Sequence, residues 1–193
     1  MAQNSSVIRG GPMANARLGV MLFIAAAVML FAVLVAGFLV LRFGSHGFAG
    51  MPSLPGSWNG LLFPVLLVTL IALMRATVHL RALEVKATRL WIALALASSV
   101  AFLVILVLSW KAALAVGIAP GTNVRFGLYY LMTGAHGVHA LGGVVPIVML
   151  AMQARRGGDP HRFLPFLHAT ELYWRFVIAV GLVLFVLLYV IDP

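Results

Sequence analysis

The sequence predicts an all-α integral membrane protein built as a bundle of five transmembrane helices. The chain has 193 residues, of which 63% are hydrophobic and 9% charged, and its mean hydropathy is +1.10. A soluble domain is about half apolar and about a quarter charged. Five apolar stretches are long enough for the roughly 20 helical residues that cross a bilayer core. None alternates apolar and polar residues in the ~10-residue segments of a membrane β-barrel.

The predicted organisation is a short tail followed by one transmembrane domain. Residues 1–16 are polar and rich in Gly, Asn and Ser, which predicts a poorly ordered tail. The transmembrane domain is predicted at residues 17–193. Its helices are predicted at about residues 18–41, 61–78, 90–110, 126–152 and 172–191.

The first two spans are justified by length and by their flanking residues. Arg9 and Arg17 precede the first span, as basic residues precede the apolar core of a signal peptide. That core has only about 7–15 residues, so we interpret the longer first span as a retained helix. Pro64 lies in the first turn of the second span, where a missing backbone N–H does no harm.

The later spans are apolar runs separated by Gly- and Pro-containing connections. Pro146 lies inside the fourth span and predicts a kink or the end of one regular stretch. Aromatic residues near the predicted span ends are typical of anchoring at the membrane–water interface. They are Trp58, Trp91, Trp110, Tyr129, Tyr173, Trp174 and Tyr189.

The placement of basic residues predicts the orientation of the chain. The formal net charge is +9, but its distribution argues against nucleic-acid binding and for a positive-inside bias. Three basic residues, Arg42, Lys111 and Arg125, fall on one predicted side. The others fall on the opposite side: Arg9, Arg17, Arg75, Arg81, Lys86, Arg89, Arg155, Arg156, Arg162 and Arg175. The N-terminus is therefore predicted in the cytoplasm and the C-terminus outside.

Missing side-chain types limit the chemistry of this chain. It has no cysteine, which excludes disulfides, iron–sulfur clusters and thiolate copper sites within it. The four acidic residues, Glu84, Asp159, Glu171 and Asp192, all fall in loops or at predicted span ends. Proton-coupled transporters usually place a carboxylate at mid-membrane. The chain alone is therefore a poor candidate for such a transporter.

Polar residues in the fourth span are the main candidates for a functional role. His136 and His139 are three apart and share a helix face, with Thr133 one turn earlier. They could bind one metal together, or each could pair with a residue elsewhere. No acid or thiol lies at that depth, and a closed metal site usually needs about four ligands. We therefore favour structural hydrogen bonds between helices over metal or haem ligation.

Two further candidates lie at the predicted cytoplasmic edge. Arg75 either snorkels to the interface or forms a lipid phosphate site with Arg81 or Arg175. His168 and Glu171 would supply half of a di-metal carboxylate motif, but the other half is missing. The simpler expectation is a solvated or lipid-facing cap, with Thr170 or the preceding loop starting the last helix.

The fourth span carries a resemblance to a known family. Its order of an aromatic residue, Thr-Gly, His-Gly-x-His and Gly resembles a segment of haem-copper oxidase subunit III. The matching residues are Tyr129, Thr133, Gly134, His136, Gly137, His139 and Gly143. Residues 173–189 look like the closing helix of that family, and residues 18–42 are similar to its opening segment. Five spans with the N-terminus inside match the family's short, five-helix form.

The resemblance implies an accessory subunit without catalytic residues, metal or cofactor of its own. In that family haem and copper belong to partner subunits. The chain would pack mainly beside subunit I, in a complex with subunit II and further subunits, in a bacterial-type inner membrane. It would hold phospholipids in a cleft between two helix groups and support oxygen access, proton uptake and durability of the complex.

Several positions depart from the family pattern. Ala27 stands where the family usually has a Glu, and Ser109 stands for a Glu before Trp110. In the last span the family's His, Asp and Trp are replaced by Arg175, Ile178 and Gly181. These replacements indicate a divergent branch, serving an unusual oxidase or a nitric oxide reductase-like complex. The alternatives are a membrane electron carrier with His136 or His139 as haem ligand, and a small transporter.

Overall fold

The computed structural model describes residues 12–44, 59–156 and 160–191, which form five long helices. These are α1 (Pro12–Phe43), α2 (Asn59–Arg81), α3 (Val85–Ala115), α4 (Val124–Arg156) and α5 (Pro160–Phe185). A π-helical segment, Val186–Ile191, continues α5. All five helices are long and apolar enough to cross a membrane, and the described residues contain no β-strand. The predicted all-α, multi-pass membrane fold is confirmed.

The helices extend further than the predicted spans. α1 begins at Pro12, inside the stretch predicted as a tail, and α5 begins at Pro160 rather than near residue 172. Proline suits the first turn of a helix, where its missing N–H has no intrahelical partner in any case. Phe163, Leu167 and Glu171 are buried at four-residue spacing. The early part of α5 is therefore amphipathic, and a search for uniformly apolar runs passes over it.

Four helices form a ring, and α1 lies at its edge. α2 packs on α3, α3 on α4, α4 on α5, and α5 back on α2, while α1 contacts α5 and, less extensively, α4. Ala27, Phe31 and Phe38 are buried on α1. Most of the other α1 side chains are exposed, as expected for a surface that faces lipid or a partner protein.

A tight connection joins α2 to α3. Leu83 has a left-handed backbone conformation, with φ of 59°. The N–H of Glu84 donates to the carbonyl of His79 at 2.9 Å. The Glu84 carboxylate also lies 2.6 Å from Nδ1 of His79, whose ring stacks on Trp91. This turn lies at what we call the α2–α3 end of the bundle; the opposite end carries the α3–α4 connection.

A close approach of α5 to Gly143 fixes the α4–α5 contact. A methyl group at Gly143 would lie 2.9 Å from Cε1 of Tyr173 and 3.0 Å from Cε2 of Trp174. Small residues allow helices in membranes to approach this closely. α4 runs on through Pro146 to Arg156, so this proline does not end the helix.

Candidate functional site

The buried face of α4 carries three polar residues toward the interior of the four-helix ring. Tyr129, Thr133 and His136 are spaced by four and three residues, so they lie on one side of the helix, and all three are buried. A cavity of about 40 Å³ lies beside them. Residues of all four ring helices line it: Leu62, Phe63, Leu66, Phe102, Leu106, Thr133, His136, Gly181, Leu184, Phe185, Leu188 and Tyr189.

His136 lies at this cavity and is only 5% exposed. Neither ring nitrogen has a hydrogen-bond partner among the described residues. The ring instead meets aromatic edges: Phe102 lies 5.6 Å away, at 85° between the ring planes, and Phe31 lies 6.3 Å away at 73°. The hydrogen bond predicted for His136 across a helix interface is therefore not among the contacts of the described chain.

His139, one turn further on, has a different environment. Its Nδ1 lies 2.7 Å from the carbonyl oxygen of Ala135, in its own helix. Three aromatic rings surround the imidazole, with centroids at 5.9 Å for Phe23, 5.1 Å for Phe31 and 6.2 Å for Phe176. We call these three rings the aromatic box. The hydrogen bond of His139 thus stays within α4 rather than crossing to another helix.

Ala27 lies on the face of α1 that contributes to this box. Phe23, Ala27 and Phe31 are four residues apart and therefore share that face. Ala27 is buried. Because alanine has no carboxylate, position 27 supplies no acidic group near His136 or His139.

Thr133 ties α4 to α3 through its hydroxyl. Its Oγ1 accepts a hydrogen bond from Nε1 of Trp110 at 3.1 Å and donates to the carbonyl oxygen of Tyr129 at 2.6 Å. Nearby, the Tyr130 hydroxyl donates to the carbonyl of Ile118 at 2.9 Å. These bonds hold the α3–α4 connection against the ring.

Several aromatic residues that were predicted to be interfacial anchors form hydrogen bonds inside the bundle. Trp174 is fully buried and donates from Nε1 to the carbonyl oxygen of Gly143 at 3.1 Å. The Tyr173 hydroxyl donates to the carbonyl oxygen of His139 at 2.7 Å. Anchoring was the wrong interpretation for these two and for Trp110, because their partners belong to other helices and hydropathy does not reveal them.

A polar cluster lies at the α2–α3 end. Glu171 is 7% exposed, and its carboxylate accepts hydrogen bonds from Thr77 Oγ1 at 3.1 Å and Arg175 Nη2 at 2.5 Å. Nδ1 of His168 lies 3.9 Å from the same carboxylate, and its Nε2 lies 3.0 Å from Nη2 of Arg81. Arg81 and Arg175 are thus brought to one cluster by His168 and Glu171.

The expectation of a solvated cap at Glu171 is wrong. α5 starts at Pro160, so Thr170 lies inside the helix, where its hydroxyl donates to the carbonyl of Phe166 at 2.9 Å. Because the helix starts early, Glu171 is placed on a face that packs against α2 and not at a helix end.

Arg75 is not part of this cluster. It is exposed and lies two residues from Thr77 on α2, and residues two apart do not share a helix face. Among the described residues, no group of three or more His, Asp or Glu side chains could hold a metal ion.

The amino-acid sequence of the chain is similar to those of several known proteins. No protein-family model matches the chain. It is 28% identical over 184 residues to "Cytochrome c oxidase subunit 3" of Thermostichus vulcanus, covering 91% of this chain and 87% of the relative. It is 26% identical over 185 residues to "Probable quinol oxidase subunit 3" of Staphylococcus aureus, covering 91% and 89%.

This similarity along about nine-tenths of the chain supports a divergent relative of the oxidase subunit III family. A match to "Cytochrome c oxidase subunit 3" of a Synechocystis strain is 38% identical over 71 residues, which is 36% of this chain and 30% of that protein. Gly181, where the resemblance predicts a departure from the family pattern, lines the cavity. A methyl group there would lie 3.3 Å from Nε2 of His136.

Proposed function

We propose that this chain is an accessory, non-catalytic subunit III of a respiratory haem-copper oxidase, and that it stabilises subunit I. The observation that carries the proposal is similarity along about nine-tenths of the chain to relatives named as oxidase subunit 3. The described residues supply no cluster of metal ligands. Electron transfer to oxygen would then use haem and copper of partner subunits, with subunit II and further subunits in the same complex.

The experiment is purification of the complex in mild detergent through a tag on this chain. We expect haem-containing polypeptides to co-purify, with an oxidase spectrum and with subunit I identified by mass spectrometry. Recovery of this chain without any haem-containing partner would contradict the proposal. A co-purifying nitric oxide reductase without an oxidase would replace the oxidase with the other complex that the sequence leaves open.

We propose that the cluster at Arg81 and Arg175 binds a phospholipid phosphate. Arg175 bonds the Glu171 carboxylate, and Arg81 contacts His168, which lies 3.9 Å from that carboxylate. Two guanidinium groups and one carboxylate leave the local charge positive. The Arg175 side chain is 55% exposed and can contact a headgroup while bonded to Glu171. A guanidinium group binds phosphate oxygens through charge-assisted hydrogen bonds. The lipid cleft implied by the family, and a contribution of Arg75, stay predictions.

Native mass spectrometry of the complex tests this lipid site. Arg81→Gln and Arg175→Gln should each release an anionic lipid that the wild type retains. Arg75→Gln serves as the matched variant on the other face of α2 and should retain the lipid, because Arg75 does not belong to the cluster. Equal retention in all three variants would contradict the site, whereas release by Arg75→Gln would extend it.

We also propose a bacterial inner-membrane location with the N-terminus in the cytoplasm. The support is the excess of Lys and Arg at the tail and at the α2–α3 end. The chain has no cysteine, so a single introduced thiol reports without background. In intact spheroplasts, Gly121→Cys should react with an impermeant maleimide and Glu84→Cys should not. The reverse pattern would overturn the orientation.

A further inference from the structure

The interior of the four-helix ring holds a polar side chain whose hydrogen bonds are not accounted for. His136 is more than nine-tenths buried, and neither of its ring nitrogens has a hydrogen-bond partner among the described residues. A neutral imidazole carries one donor and one acceptor nitrogen. Leaving either unpaired away from water is unfavourable, and buried polar groups in native proteins normally have a partner.

The cavity beside His136 has the size and the lining to supply that partner. Its volume is about 40 Å³, and a water molecule needs only about 10–15 Å³ of such space. Thr133 and Tyr189 bring hydroxyl groups to its wall. Thr133 Oγ1 accepts one hydrogen bond and donates one, which leaves a lone pair. Tyr129, also buried, lies on the same face of α4 one turn before Thr133.

Gly181 lies directly against the imidazole of His136. A methyl group at this position would lie 3.0 Å from Cδ1 of Leu66, 3.3 Å from Nε2 and 3.5 Å from Cε1 of His136. The Nε2 edge of the ring therefore faces a place on α5 that lacks a side chain. A larger residue at position 181 would press against Leu66 and against the Nε2 edge of the ring.

We propose that this cavity is a binding site for a small cluster of ordered water molecules, held by His136, Thr133 and Tyr189. Water matches the volume, and because it both donates and accepts it can satisfy either tautomer of the imidazole. Buried waters typically make about three hydrogen bonds to groups of this kind. The site would link α4 to α5 through water, where the aromatic box links α1, α4 and α5 through direct contact. The proposed water site does not depend on which respiratory complex contains the chain.

A high-resolution cryo-EM map of the complex purified through this chain tests the proposal. We expect ordered density within hydrogen-bond distance of Nε2 of His136, with the size of water and a second contact to a lining hydroxyl. A well-resolved cavity without density, or one filled by a lipid chain or a partner side chain, would overturn it.

Variants supply the second test. Gly181→Ala should remove this density and lower the midpoint of thermal dissociation of the complex by a few degrees. Gly134→Ala is the matched control, because its methyl group would meet only ring atoms of Trp110, at 3.9 Å. His136→Leu should make the cavity wall less polar, so xenon should enter it under pressure, as in apolar cavities, whereas the wild-type cavity should not admit it. Xenon binding in the wild-type cavity would contradict the water site even if every variant failed to assemble.

Discussion

His136 and His139 lie three residues apart on α4, yet their surroundings differ in kind. His139 is enclosed by the aromatic box and bonds a carbonyl of its own helix. His136 faces a cavity and has no partner among the described residues. The two share residue type and lie on one face of α4, but His136 is buried and His139 is only partly buried. Neighbouring helices, and not the spacing within α4, therefore determine the surroundings of each histidine.

Packing density follows the same division. Near His139, α5 approaches α4 so closely that Gly143 has no room for a methyl group. The donors Tyr173 and Trp174 there bond backbone carbonyls. Near His136, a cavity of about 40 Å³ adjoins the helix instead. The segment of α4 around residues 139–143 is thus directly packed, while the segment around residue 136 adjoins a cavity.

The largest effect is expected from Gly143→Ala, which tests the directly packed region. The new methyl group would overlap Tyr173 and Trp174, and overpacking of this kind typically costs about 1–3 kcal/mol. We expect less folded chain in detergent and a melting temperature several degrees lower. Gly142→Ala is the neighbouring control, since its methyl group would meet only the Tyr173 hydroxyl at 3.6 Å. Equal stability of Gly143→Ala and Gly142→Ala would contradict the tight packing of α5 against α4 at Gly143.

The next effect is expected from His139→Ala, which empties the aromatic box. Truncating a side chain packed against three rings should cost about 2 kcal/mol, by analogy with other large-to-small substitutions in cores. His139→Phe should restore most of the loss, because the box itself is aromatic. Thermal unfolding of both variants provides the measurement. If His139→Phe is as unstable as His139→Ala, the polar contact to Ala135 outweighs the ring packing.

A smaller effect is expected from Trp174→Phe, which removes one donor while keeping an aromatic ring. The hydrogen bond to the carbonyl of Gly143 is worth about 1 kcal/mol net. We expect a lower melting temperature by a few degrees, smaller than for Gly143→Ala. Tyr173→Phe offers a parallel case, because it removes the donor to the His139 carbonyl. No change in either variant would show that close packing alone joins α4 and α5.

The smallest effect is expected from His136→Leu, in the other region. Replacing a buried polar group and its partners by apolar atoms is often nearly neutral. We expect the change in unfolding free energy to be smaller than that for His139→Ala. A loss as large as that of His139→Ala would erase the contrast between the two histidines.

The sequence was sufficient for the five helices, because each is an apolar run of membrane length. It was insufficient for the start of α5. There the polar residues Thr170 and Glu171 interrupt the apolar run of the sequence. Glu171 is nevertheless buried, and it accepts a hydrogen bond from Thr77, which is distant in the chain. The partner of Trp174 could not be read from sequence either, since it is a backbone carbonyl reached only where Gly143 has no side chain.

The candidate site was predictable in part. The motif around His136 and His139 indicated the family that the relatives support, but the sequence predicted the same kind of hydrogen bond for both histidines. Gly181 decides the surroundings of His136 from another helix, and the relation between positions 136 and 181 exists only after folding. Arg81 contacts His168 and Arg175 contacts Glu171, whereas Arg75 lies on another face of α2. Only the fold separates these three arginines.

The proposed function requires that this chain serve a catalytic partner and perform no redox chemistry itself. The most direct measurement is haem and metal analysis of the tagged chain before and after harsher detergent strips away its partners. The account predicts haem and copper in the intact complex and neither in the isolated, still helical chain. Haem absorbance or stoichiometric metal retained by the isolated chain, and lost in His136→Ala or His139→Ala, would contradict it.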